Sequence, residues 1–300
     1  MLKPISQILN SFLVLVFIGA WGSLVYYSKT APDDTNVVIL APTPTIVSTP
    51  TAKLIPTSAT NLLATSDAIP DPSWSQLEPG LERRVIQIYN DQNQHVESMY
   101  VWRLDQKHFR LDVAFAEQPK TLEAWQAETN AAIVLNGGYF SINNERYSAD
   151  GLMVVNGKAT GRSFMGYGGM LAIDRSGAEL RWLVQKPYNS HERLQAALQA
   201  FPMLVKPGGE LGFPATRDNH ASARRTVIAQ DKEGRILLLV APQGYFTLHQ
   251  LSAYLTESDL NLDIALNLDG GGSTGILVAN PREIIPSKVL LPFVILVYPR

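Results

Sequence analysis

The hydrophobic positions change character along the chain. Over residues 11–27 (SFLVLVFIGAWGSLVYY) they are almost continuous, with no charged residue between Lys3 and Lys29. About 20 such residues, rising ~1.5 Å each, cross the hydrocarbon core of a bilayer, so this run predicts one membrane-spanning helix. Trp21, Tyr26 and Tyr27 stand near its C-terminal end, where amphipathic rings favour the headgroup layer. No small-x-small cleavage site follows the run, and residues 1–30 read as an uncleaved anchor rather than a removed signal peptide. Residues 31–80 are rich in Thr, Pro, Ser and Ala (APTPTIVSTPTAKLIPTSAT). A segment of this kind buries too little apolar surface to offset its ordering entropy, so it reads as a disordered linker. A stalk between membrane and domain is most useful on the outer side. The expectation is a single-pass protein, held to the membrane by its N-terminal helix, with its C-terminal domain extracytoplasmic.

From residue 81 to residue 300 short apolar runs alternate with polar positions at a period of two, the pattern of half-buried strands. Strands are predicted at 84–89, 98–104, 109–115, 132–135, 152–155, 169–173, 180–184, 203–206, 226–230, 236–241, 264–268, 275–278 and 289–297. Helices are predicted at 122–128, 192–200 and 248–257, the last after Thr247, a good N-cap. Strands outnumber helices without a βαβ rhythm. The predicted class is α+β, with strand-rich mixed sheets and a few short helices, behind one N-terminal transmembrane helix.

Composition narrows the functions. Among 300 residues, 25 Lys and Arg against 27 Asp and Glu give a net charge of -2, which offers no electrostatic footprint for nucleic acid. Hydrophobic residues make up 46% and charged ones 17%, enough for a sizeable core. The absence of cysteine excludes disulfides, a thiolate metal site and a cysteine nucleophile together.

Three segments carry candidate chemistry. In NLDIALNLDGGGSTGILV, Leu262, Ile264, Leu266 and Leu268 alternate with polar or small residues, so a strand buries the leucine face and brings Asn267 and Asp269 to its end. Gly270, Gly271 and Gly272 follow, then Ser273 and Thr274. Glycines allow backbone N–H groups to approach an anion, which makes this a candidate phosphate cradle, with a glycine-rich hairpin as the plainer alternative. In AAIVLNGGYFS an apolar strand ends in Asn136 and Gly137. Asn136 can serve a site mouth and Tyr139 and Phe140 can stack on a sugar, while Asn-Gly is also a strong hairpin signal. Asp150, before Gly151, is a weaker candidate, since Asp-Gly is commonly a turn. In ARRTVIAQDKEGRILLLV two antiparallel strands join at Asp231 to Gly234, and alternation sends Arg224 and Arg225 to opposite faces. One guanidinium, suited to forked recognition of phosphate, then points into a cleft. Arg225 is the choice for that role and Arg224 for solvent.

Taken in order, NGGYFS, DGLMVVNGK, FPMLV, ARRTVIAQDKEGRILLLV, GYFTLHQLSAYL and LNLDGGGST resemble the phosphodiester glycosidase family, over nearly all of residues 136–299. The resemblance implies a hydrolase of sugar 1-phosphodiesters, and bacterial relatives are associated with exopolysaccharide. It places the family's site at Asn136 and Gly137, at Arg225 and Thr226, and at Asp269, Gly270, Gly271, Gly272 and Ser273. Two departures bear on substrate identity. Ala200-Phe201-Pro202 stands where the family often has Gly-Gly-Pro, and Ala229 replaces a usual glycine.

Such an ester leaves as a stable phosphate monoester, so it needs little proton assistance and much electrostatic stabilisation. Arg225 and the amides of the glycine loop are expected to supply the latter. Asp269 is the first candidate for the carboxylate that activates water or steadies the oxocarbenium ion, Asp150 the second. His220, in a polar loop, is expected to face solvent, and His249, in a helix, to be structural. No His/Asp cluster has metal-ligand spacing and no cofactor is required, although Asp269 with backbone carbonyls is of the type that holds a hard divalent cation. The expected partner is a carbohydrate phosphate. The alternative function is a non-catalytic module that binds glycan or phosphate polymer through the same groups.

Overall fold

A computed structural model describes residues 74–300, apart from Glu145 and Tyr167. The expected anchor and the linker up to residue 73 lie outside the described residues. Among the described residues no helix is long and apolar enough to cross a membrane.

The described strands start ahead of the expected boundary at residue 81. Strand β1 (Ser75–Glu78) pairs with β2 (Leu81–Tyr89), and the ring of Trp74 lies 3.8 Å under the Arg103 guanidinium. Next come β3 (His95–Leu104), β4 (Phe109–Lys120), helix α1 (Leu122–Thr129) and β5 (Ile133–Asn136). Smaller strands follow: β6 (Phe140–Asn143), β7 (Arg146–Ala149), β8 (Met153–Val155), β9 (Lys158–Thr160), β10 (Gly169–Ile173), β11 (Ala178–Trp182), β12 (Ala196–Ala200), β13 (Met203–Lys206) and β14 (Glu210–Leu211). The last third holds β15 (Arg225–Asp231), β16 (Ile236–Ala241), helix α2 (Leu248–Glu257), β17 (Leu262–Asn267), β18 (Ile276–Val278), β19 (Glu283–Ile285) and β20 (Leu291–Pro299). Strand-rich with few helices, the domain is α+β as expected.

The strands form an eight-stranded sheet ordered β1-β2-β3-β16-β15-β17-β13-β14, two five-stranded sheets ordered β11-β10-β12-β8-β9 and β19-β18-β5-β20-β4, and the β6-β7 hairpin. Their ladders run antiparallel. The large sheet buries both faces, and its alternation shows how. Ile236, Leu238 and Val240 enter a core shared with the five-stranded sheets, whereas Leu237 and Leu239 enter a second core beneath Leu251 and Leu255 of α2. A fully buried leucine contributes roughly 1.5–3 kcal/mol, so this two-sided burial anchors β15, β16 and β17 as interior strands of the large sheet. Thr247 caps α2 as expected, its hydroxyl accepting from Gln250 N while the Gln250 side chain accepts from Thr247 N.

Two expectations are corrected. The helix predicted at 192–200 does not form, and Ala196–Ala200 is instead strand β12, paired residue by residue with β10. All its residues are buried, and a strand covered on both faces shows no alternation of buried and exposed positions, which erases the period-two signal. In β17 the leucine face is broken. Leu262 belongs to the core beneath α2 and Ile264 and Leu266 to the other, because the ladder with β15 shifts register between Gln230 and Asp231.

Candidate active site

The end of β5, the start of β15 and the end of β17 meet through one side chain. Asn136 Oδ1 accepts from Thr226 Oγ1 at 2.8 Å and from Gly275 N at 3.1 Å, and Asn136 Nδ2 donates to Asp269 O at 2.7 Å. Gly137 N donates to Phe293 O at 2.9 Å and Gly137 O accepts from Asp269 N at 3.2 Å. A Cβ at Gly137 would lie 3.0 Å from the Phe293 carbonyl carbon and oxygen, so a larger residue would press on the Phe293 backbone at this close pass. Asn136-Gly137 is therefore a clasp between strands and not a hairpin turn. Asn136 and Asn267 are each 1% exposed and Thr226 is 0% exposed. Expected to touch substrate, Asn136 and Thr226 instead bond within the protein, and Asn267 does so through Nδ2 while its Oδ1 is buried without a partner.

The clasp aims Asp269. Its Oδ1 accepts from Gly270 N at 2.8 Å. Burial pushes its carboxyl up from 3.8 to about 6, with the Asp150 charge adding to the rise and the Ser273 hydroxyl and Gly270 N–H opposing it. Asp150 is tied to the neighbouring hairpin, accepting from Ser141 Oγ at 2.6 Å. The Tyr139 hydroxyl accepts from Asn267 Nδ2 at 2.7 Å. Burial raises its pKa far above the phenolic range, the Asp269 charge raises it further, and Arg225 and Asn267 pull against both. The phenol therefore keeps its proton and can donate it in a hydrogen bond.

Arg225 completes the cluster. Nε donates to Phe246 O at 3.1 Å and Nη2 to Ala221 O at 2.8 Å, and neither bond uses Nη1. Burial lowers its pKa, opposed by Tyr139 and Asp218. Two residues that sequence reasoning missed stand behind it. Asp218 Oδ2 accepts from Thr247 Oγ1 at 2.6 Å, while its Oδ1 is buried without a partner. Glu97, 0% exposed, gathers four backbone amides: Ser98 and Gln243 at Oε1, Gly244 and Tyr245 at Oε2. It thereby fixes the turn leading to Phe246, whose carbonyl holds Arg225. Both acids sit in ordinary polar sequence, and only three-dimensional contact marks them.

The glycine loop is built differently from the expected cradle. Gly270 N is taken by Asp269, Gly271 N donates to Arg224 O at 2.8 Å and Ser273 N donates to Gly270 O at 3.1 Å. Their amides are thus spent inside the protein. A Cβ at Gly270 would meet Arg224 O at 2.8 Å, and Gly271 has φ +58, so these glycines serve tight chain packing. Gly272 O accepts from Lys288 N at 2.7 Å, and Ser273 reaches the site through its hydroxyl. Arg224 was expected in solvent but is 9% exposed; Nη2 donates to Pro286 O at 2.9 Å, and its Nε and Nη1 are buried without partners. His220 faces solvent, its side chain 86% exposed and 3.9 Å from Asp218. His249 Nδ1 lies 2.9 Å from Phe213 O, a structural contact.

Among the described residues no group of three or more His, Cys, Asp or Glu could hold a metal. A cavity of about 500 Å³ lined by Asp105, Gln106, Lys107, Ser176, Arg235 and Arg300, among others, shares no residue with the cluster.

A family model described as phosphodiester glycosidase matches residues 129–295. Among solved structures, the catalytic domain of zebrafish N-acetylglucosamine-1-phosphodiester alpha-N-acetylglucosaminidase, auto-inhibited by its pro-peptide, is similar with a TM-score of 0.60 and 18% identity, covering 77% of this chain and 87% of that one. A hypothetical protein from Synechocystis is similar with a TM-score of 0.51 and 15% identity, over 78% of this chain and 64% of that one. At these identities the likeness is one of fold. Comparison with curated proteins finds no match.

Proposed function

Since the chain belongs to the phosphodiester glycosidase family, we propose that it hydrolyses sugar 1-phosphodiesters, with Asp269 as the catalytic carboxylate and Arg225 as the cation that receives the departing phosphate. The observation that carries this reading is Asp269 itself. It is a carboxyl raised to about 6 in a cluster with a protonated phenol and a guanidinium. A group titrating near working pH is the kind suited to accepting a proton.

In this mechanism the bond between the anomeric carbon and the ester oxygen breaks, and its electron pair stays on the phosphate. Arg225 and the Tyr139 hydroxyl donate to the phosphate oxygens as charge builds there. The Tyr139 oxygen already accepts from Asn267 Nδ2, which leaves the phenolic proton available for the ester. Ionised Asp269 faces the positive charge developing on the sugar and takes a proton from the attacking water, which bonds to the anomeric carbon. Burial, with a smaller contribution from the Asp150 charge, keeps the Asp269 proton affinity high enough for that transfer. Gly270 N and the Ser273 hydroxyl keep its carboxylate in one orientation.

The test is a panel of sugar 1-phosphate esters, N-acetylglucosamine included, alongside neutral glycosides. Turnover of the esters, abolished in Asp269→Asn and reduced at least ~100-fold in Arg225→Ala, supports the proposal. Turnover of neutral glycosides that ignores Arg225→Ala refutes the phosphate role. Binding of the esters without turnover makes the domain a glycan- or phosphate-polymer-binding module.

We further propose that residues 1–30 anchor the chain in a membrane, with the Pro/Thr-rich residues from 31 up to the first strand holding the domain on the extracytoplasmic side, where surface polysaccharide is the substrate. The uninterrupted apolar run over 11–27 and the Pro/Thr-rich stretch after it support this. With no native cysteine, Arg175→Cys gives one exposed thiol for a membrane-impermeant maleimide. Labelling of intact cells is expected, and labelling only after lysis refutes the orientation.

A further inference from the structure

The rim beside the carboxylates is aromatic. Phe201, between β12 and β13, is 39% exposed. Its ring stacks on Tyr139 with centroids 4.4 Å apart at 20° and meets Phe164 edge-on at 5.9 Å and 77°. A single exposed phenylalanine is ordinary on a protein surface, but this one is fixed from several directions. Asn267 Nδ2, which reaches the Tyr139 hydroxyl, also donates to Phe201 O at 3.0 Å. One buried amide thus sets the ring and the reactive cluster in register.

Phe164 is held just as firmly. Its N–H donates to Gln199 Oε1 at 3.1 Å, and Gln199 Nε2 donates to Ser163 Oγ at 2.7 Å, with Gln199 only 1% exposed. Space for the Phe164 ring exists because Gly151 and Gly168 have no side chain. A Cβ there would fall 2.5 Å and 2.8 Å from ring atoms, respectively. Gly151 directly follows Asp150, so the ring packs against the backbone next to the residue that carries the second carboxylate.

Tyr139 covers one face of Phe201. A ligand meeting the remaining aromatic surface beside Asp150, Asp269 and Arg225 needs an apolar face and a polar, anionic end. A pyranose esterified to phosphate has both, since the C–H groups on one face of the ring form an apolar patch that packs on an aromatic plane. A small rigid ring loses little freedom on such a platform.

The geometry points to Phe201, buttressed by Phe164, as the residue that takes the apolar face of the substrate's sugar ring and so sets sugar specificity. This rests on the hydrolase reading above. The test compares wild type, Phe201→Ala and Phe201→Tyr on the methyl phosphodiester of glucose or N-acetylglucosamine, whichever the wild type turns over, because a methyl aglycone is too small to occupy a platform. Phe201→Ala is expected to raise KM about five- to tenfold at nearly constant kcat, with Phe201→Tyr close to wild type.

A fall in kcat at constant KM overturns the inference, because Phe201 would then act through Tyr139 and Asp269. So does an unchanged KM. A penalty that appears only with a long alkyl aglycone overturns it as well, assigning the platform to the leaving group. If the wild type turns over no ester, the hydrolase reading fails separately, and ligand-observed NMR with glucose 1-phosphate decides about Phe201. Ring-proton contact in wild type that is lost in Phe201→Ala sustains the platform. Equal contact, or none in wild type, overturns it. A thermal melt of each variant confirms that the half-exposed position was changed without unfolding.

Discussion

Consider Asp269→Asn, which keeps the shape of the side chain and removes its titration. The folded protein raises this carboxyl from 3.8 to about 6, and each pH unit is worth about 1.4 kcal/mol. Ionised Asp269 therefore costs the folded state about 3 kcal/mol at neutral pH, a ceiling because the residue keeps some contact with solvent. The sign follows from which state holds the proton longer. Below about pH 4 both states are protonated and the penalty is absent. Between about 4 and 6 the unfolded chain ionises first, so wild-type stability falls as pH rises. Above the folded pKa the penalty is constant. Asn cannot ionise, and the contact of the charged carboxylate with Gly270 N is already contained in the net raised pKa, so it adds no separate term. Urea unfolding of both proteins across this range is expected to show the stability of the variant relative to wild type climbing by up to about 3 kcal/mol and then levelling, while turnover disappears. A difference that stays flat with pH would falsify the raised pKa, and retained turnover would remove Asp269 from catalysis.

Further outcomes follow from the same geometry. Asp150→Asn removes a charge that raises the Asp269 pKa, so the acid limb of kcat/KM is expected to move below about 6; a limb that stays put or moves up refutes the coupling. Asn136→Ala leaves Thr226, Gly275 N and Asp269 O without their shared partner, and its urea midpoint is expected to drop by the equivalent of about 3 kcal/mol; a loss within ~0.5 kcal/mol would mean the clasp is dispensable. Glu97→Gln puts an NH2 group against amides that need acceptors. Destabilisation of about 1–3 kcal/mol is expected, with cleavage at residues 243–245 under limited proteolysis, and an intact turn speaks against Glu97 as its anchor.

Much of the fold was legible because strong periods and caps agree. Helix α2 stands where Thr247 and the apolar spacing put it, and β10, β13 and β16 coincide with their predicted spans. Strand β12 was not legible, since Ala-Ala-Leu-Gln-Ala suits a helix and only pairing with β10 decides otherwise. Strand β1 hid in polar, Pro-flanked sequence because its stability comes from pairing with β2. In the candidate site, residue types and strand ends marked Asp269 and Arg225, but not how polar groups are shared out. Local sequence shows a glycine run as open amides, whereas contact with Arg224 O consumes one of them. Asn136 looked like a ligand group for the same reason. Asp218 and Glu97 escaped because nothing near them in sequence identifies what they hold.

The clasp at Asn136 also orders events in time. Its partners Thr226, Asp269 and Gly275 are translated long after it, and β4 waits for β20 to pair residues as distant as Phe109 and Pro299. Chains dominated by such remote pairings mature slowly, over roughly milliseconds to seconds. A growing polypeptide therefore carries the asparagine but none of the groups it joins, and the candidate site is assembled late, when the C-terminal strands close the sheets.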